Sequence, residues 1–164
     1  MKKFKEIYQS YLDKCSLGDK DFTTIKPQHI FNQILKLINK KDFETVKKIF
    51  EHPKYREYIN INESNDLILA EACKEGNIDF IQYLLLEKGA NIYAQKGAIF
   101  GNLILWKHKE VLEYLIFDYK IKETEEIKAM TNMFFSKDVK KMFQTRNLQE
   151  NLSSKKILES RLKV

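Results

Sequence analysis

The side chains best suited to chemistry in this 164-residue chain are three histidines and two cysteines: His29, His52, His108, Cys15 and Cys73. A metal site on a helix needs ligands three or four residues apart, so that both project from one face. No histidine meets that spacing with another histidine or a cysteine, so neither a metal nor a cofactor is expected. A nucleophilic cysteine needs a base or cation beside it to hold the thiolate. Neither cysteine has a histidine nearby in sequence, and both fall at apolar helix positions, which reads as small core residues. Gly18-Asp19-Lys20 shares only a fragment of the phosphate-loop pattern. Glu123, Glu125 and Glu126 read as the acidic first turn of a helix, where the helix dipole favours them, rather than as a catalytic carboxylate pair. No enzymatic activity is expected from these residues. Trp106, the only tryptophan, is the stronger lead, because tryptophan concentrates at interface hot spots. Its two readings are a partner contact and a ring folded back on its own hairpin.

The elements that position these residues read as helices. Glycine (5) and proline (2) are too scarce for the many turns of a sandwich or barrel, and 43% apolar residues suffice for one core. Residues 3–15 place Phe4, Ile7, Tyr8, Tyr11, Leu12 and Cys15 on one stripe, predicting an amphipathic helix. Pro27 suits the first turn of a helix running to Asn39. Asp42 suits the N-cap of the next, which His52-Pro53 stops. Asn65-Asp66 is expected to cap a helix from Leu67 to Lys74, and Gly76-Asn77 turns the chain into a helix from Ile78 to Lys88. A helix from Ala98 to Trp106 follows, then one from Lys109 to about Asp118. Thr124 and Ser136 cap a last pair, the second helix running through Phe143. Short links within each pair make them antiparallel hairpins.

The hairpins also recur in sequence. Asn77-Ile78-Asp79-Phe80-Ile81-Gln82-Tyr83-Leu84 aligns with His108-Lys109-Glu110-Val111-Leu112-Glu113-Tyr114-Leu115 at an offset of 31. Asp42 precedes Asn77 by 35, and Val139 follows Val111 by 28. Offsets of about 33 with two helices each point to a stacked helical-hairpin array. Within it, Ala72-Cys73-Lys74-Glu75-Gly76-Asn77 resembles the Ala-Ala-x-x-Gly-His turn of ankyrin repeats. Tyr83-Leu84-Leu85-Leu86-Glu87-Lys88-Gly89-Ala90-Asn91-Ile92-Tyr93-Ala94 resembles the Leu-Leu-x-x-Gly-Ala-Asp-Val-Asn-Ala ending. The likeness is to the ankyrin-repeat family, good over about residues 60–95 and fair over 96–121. Two departures stand out. No Thr-Pro-Leu-His occurs, so the bonds it makes in the family must be replaced or missing. One extra residue separates Ile81 from Gly89, so the second helix is longer or bulged.

The resemblance implies an all-α, short, ankyrin-like helical-hairpin solenoid with an N-terminal capping helix. Residues 1–144 would form it: the cap helix at 3–15 and repeat-like units at about 27–59, 60–95, 96–121 and 122–144. Residues 145–164 are a basic polar tail or a C-terminal cap helix. Leu69, Ala72, Cys73, Ile81, Leu84, Leu85 and Ala90 would face the interior, with Phe100, Leu103, Ile104, Leu112, Leu115 and Ile116 as counterparts. The family binds other proteins across its concave face. Carried over position by position, the contact residues are Asn39, Lys40, Glu63, Ser64, Asp66, Lys74, Glu75, Tyr93, Gln95, Lys96, Leu105 and Trp106. The lysine- and isoleucine-rich units resemble ankyrin proteins of large viruses, phages and intracellular bacteria, which implies a host-directed regulator or inhibitor. The net charge of +6 makes nucleic acid the alternative partner. The opening residues Met1-Lys2-Lys3-Phe4-Lys5-Glu6 hold no apolar leader, and no stretch approaches the roughly 20 apolar residues of a membrane span. An intracellular, cytoplasmic location without membrane contact is the expectation.

Overall fold

The computed structural model describes residues 27–53, 55–56, 59–62 and 66–161. The expected cap helix at 3–15 and Cys15 lie outside the described residues. Among those described there are eight α-helices and no strand. They are α1 (Pro27–Asn39), α2 (Phe43–Glu51), α3 (Leu67–Glu75), α4 (Ile78–Leu86), α5 (Ala98–Leu105), α6 (Lys109–Glu113), α7 (Glu125–Met133) and α8 (Lys137–Arg161). α1–α2, α3–α4 and α5–α6 pack as hairpins, and α7 leads into α8 through a tight turn. The first helices of successive pairs touch in the order α1, α3, α5, α7. All thirteen positions expected to face the interior are buried in one continuous core.

Caps at the hairpin turns are set by local chemistry. The side chains of Asp42, Asn77 and Thr124 accept from the backbone N–H of Thr45, Phe80 and Ile127 at 3.3, 2.8 and 3.3 Å. Ser136 Oγ accepts from Val139 N at 3.4 Å. Each satisfies an amide that the first helical turn leaves unpaired. Immediately before each second helix the chain passes through one left-handed residue: Lys41, Gly76, Lys107 and Phe135. The spacing of these four repeats, step for step, the offsets that relate the sequences.

The backbone of one hairpin pair returns in the next. Left-handed residues stand at Asp66, Gly76 and Gly89, and their counterparts in the following unit, Gly97, Lys107 and Lys120, are left-handed in the same register. The second helices end alike. Lys88 N donates to Tyr83 O and Tyr119 N to Tyr114 O, each spanning one residue more than an α-helical bond. Ala90 N donates to Leu84 O and Ile121 N to Leu115 O, both at 3.0 Å. The extra residue of the sequence is therefore absorbed as a widened turn, which in the later helix extends as a π turn over Tyr114–Asp118.

Two expectations are corrected. Asp66 occupies the N-cap position of α3 but makes no capping bond. It is left-handed, 3% exposed, and its carboxylate accepts from Asn91 N at 2.8 Å, 25 residues away. The last helix does not stop at Phe143. It runs to Arg161, since no glycine or proline interrupts it, and its side chains from 147 to 157 are exposed rather than docked on the array.

Candidate binding edge

Several hydrogen bonds and ion pairs join successive hairpins. Asn102 Nδ2 donates to Ala70 O at 3.4 Å. His108 Nε2 lies 2.8 Å from Lys74 O. A carbonyl can only accept, so Nε2 carries the proton. Tyr93 hydroxyl accepts from Lys122 N at 2.7 Å. The ends of α2 and α4 are joined by an ionic cluster. Tyr83 donates to Glu51 Oε1 at 2.6 Å, and Lys88 Nζ lies 2.6 Å from the same oxygen. Lys88 and then Tyr83 hold the Glu51 carboxyl below its ordinary range. Burial, helped by Glu51, pushes the Tyr83 phenol up. Lys47 and Lys88 also sit over the Tyr83 ring.

These joints hold the expected contact residues in two sets. At the turn edge are the ends of the first helices and the residues just beyond them: Asn39 and Lys40 at the end of α1, Lys74 and Glu75 on α3, Leu105 and Trp106 at the end of α5. Asn39 and Lys40 are exposed. Lys74 pairs with Glu71 at 3.4 Å, and Glu75 with Lys41 across to the first hairpin at 3.7 Å. Leu105 and Trp106 are 54% and 52% exposed, so Trp106 is not folded back into a closed cap. At the opposite edge are Tyr93, Gln95 and Lys96; Tyr93 and Lys96 are exposed. The length of α5 separates the two sets, about 12 Å of helix. Glu63 and Ser64 lie outside the described residues. Asp66, buried and bonded to Asn91, is not available to a partner.

Sequence reasoning missed two further residues of the turn edge. Met133 is 55% and Phe135 87% exposed at the end of α7. The signal was present: counted back by the offset that relates Val139 to Val111, Met133 corresponds to Leu105. The row of helix ends thus changes character, from charged at α1 and α3 to apolar at α5 and α7.

Elsewhere the chemistry is quiet. Burial pushes the Cys73 thiol up, so it stays protonated at neutral pH and is no nucleophile. A groove of about 440 Å³ beside α8 is lined by Phe117, Lys120, Arg146 and Glu150. Arg146 is occupied there, donating to the carbonyls of Ile116 and Ile121 and stacking on Phe143. No group of three or more His, Cys, Asp or Glu among the described residues could hold a metal ion. No helix among them is long and apolar enough to cross a membrane. The chain matches no protein-family model, no curated protein and no solved structure.

Proposed function

We infer that the chain is a non-enzymatic protein-binding module, an ankyrin-like solenoid of short hairpins that takes a protein partner along the ends of its first helices. The solenoid reading draws on the stacking order of those helices and on the left-handed positions that recur from one unit to the next. The step from Gly76 to Lys107 is close to the family's period of about 33. The resemblance to ankyrin proteins of large viruses, phages and intracellular bacteria favours a host regulatory protein as the partner.

The observation that carries the binding reading is Trp106. A half-exposed indole stands beside a half-exposed leucine at the end of a helix whose body is buried. Covering apolar surface gains about 25 cal/mol per Å², and a rigid anchor loses little entropy on binding. The test is capture from native lysate with wild type and Trp106→Ala as baits. The partner is expected on the wild type and lost from the variant, with equal thermal melts. As the only tryptophan, Trp106 should also shift its emission to the blue when that partner is added. Undiminished capture by a Leu105→Ala, Trp106→Ala double variant would overturn the reading. Nucleic acid is the second reading, drawn from the net charge of +6. Binding to DNA or RNA at about 50 mM salt that falls steeply with ionic strength would favour it.

A further inference from the structure

The net charge of +6 is not spread over the chain. Residues 137–164 hold eight of its 29 basic and three of its 23 acidic residues, so that segment alone carries +5 and the rest is nearly neutral. In the array, Lys41, Lys74, Lys88 and Lys128 each pair with a carboxylate. Among the described residues, the one ion pair of α8 is Arg146 with Glu150, at 3.7 Å. Lys137, Lys140, Lys141, Lys155 and Lys156 are left exposed and unpaired. Val139, Phe143 and Arg146 mark the docked side of α8. At about 100° per residue, Lys137, Lys141 and Lys155 fall opposite that side, and Lys140 and Lys156 on its two flanks. Glu150 lies on the docked side, and the other acids of the segment, Asp138 and Glu159, are fewer than the five lysines. Lys140-Lys141 and Lys155-Lys156 stand about 22 Å apart along the helix.

We propose that this outward face of α8 binds the phosphate backbone of double-stranded nucleic acid without regard to sequence. The proposal rests on the nucleic-acid reading above and gives it a site, on a different element from Trp106. Two unpaired cationic clusters this far apart call for an extended polyanion rather than a small anion. Lysine is a point charge that attracts phosphate but reads no base edge, so the contact positions the chain without selecting sequence. Arg146, which could read a base, is held by the carbonyls of Ile116 and Ile121. Single strands are gripped by stacking their bases on aromatic rings, and the outward face carries none. Between the lysine clusters that face holds Gln144, Leu148, Asn151 and Leu152, all exposed. Two leucines do not make the broad apolar face by which a helix enters a membrane surface. Nor do they make the aromatic anchor of a protein interface.

The test is an anisotropy titration of the full chain against a labelled DNA duplex of about 24 base pairs, starting at about 50 mM salt. Saturable binding is expected, with log K falling against log salt at a slope of about −4. A variant carrying Lys140→Gln, Lys141→Gln, Lys155→Gln and Lys156→Gln should bind at least about tenfold more weakly, with a slope near about −1. Glutamine forms helix about as well as lysine, so the melting curve of the variant should match the wild type. Duplex should also slow amide exchange in residues 147–157 of the wild type. A wild type that does not bind duplex removes the nucleic-acid reading and this site with it. Duplex binding that the four-lysine variant retains leaves that reading standing and overturns the assignment to α8. Preference for vesicles of about 30% anionic lipid over duplex overturns it too, in favour of a membrane surface. Partner capture through Trp106 is a separate measurement, so either idea can fail without the other.

Discussion

Gly76 and His108 form one unit although they belong to successive hairpins. Gly76 is left-handed at φ +71°, and a β-carbon there would fall inside the His108 imidazole. Lys41, Lys107 and Phe135 adopt a left-handed backbone at the corresponding turns while carrying side chains. The difference is the residue at the N-cap position of the next hairpin's second helix. After Gly76 it is a histidine, reaching back to Lys74 O; after Lys107 it is Ser136, which bonds its own helix. Gly76→Ala should therefore destabilise by about 2–3 kcal/mol through backbone strain plus the displaced ring. In a His108→Ala background the same change should cost only the backbone share, about 1 kcal/mol. Urea melts of the four proteins close the cycle, and equal costs in both backgrounds would refute the pairing.

At the scale of the element, the same backbone is written with different residues. Gly89 and Lys120 end α4 and the widened end of α6, both left-handed, at φ +70° and +56°. Nothing lies within 4 Å of where a Gly89 β-carbon would be, so a side chain there meets only the conformational penalty. Lys120→Gly should then stabilise by about 0.5–1 kcal/mol, and Gly89→Lys should lose a similar amount. Thermal melts check the pair; a destabilised Lys120→Gly would mean that the lysine stem makes packing contacts worth more than the strain. The same contrast explains why the hairpins are legible in sequence and their joints are not. Pro27, Asp42, Asn77, Thr124 and Ser136 act within a single helical turn, and the apolar periodicity fixes which side is buried. The Asp66 bond to Asn91 and the His108 bond to Lys74 cross 25 and 34 residues and leave no local signature. Phe135 escapes a sequence reading because a left-handed phenylalanine breaks the residue preference that marks such turns. The length of α8 is open in sequence because its composition argues against docking, while nothing in it breaks a helix.

Across the whole molecule, contacts run between neighbours, so stability should be graded along the array rather than uniform. α3 and α5 have a first helix on either side, and their inward side chains include Leu69, Ala72, Phe100 and Leu103, all fully buried. Among the described residues, α7 has a first helix on one side only. α8 is fastened by Val139, Phe143 and Arg146, after which residues 147–157 are exposed. A helical segment of that length whose side chains are exposed is marginal in water, because nucleation is costly and side-chain burial normally offsets it. Native-state hydrogen exchange should accordingly be slowest in α3 and α5, intermediate in α7, and nearly unprotected beyond Arg146. Protection of 147–157 equal to that of α3 would contradict this gradient, since helix propensity alone cannot supply it and a surface covering α8 would have to.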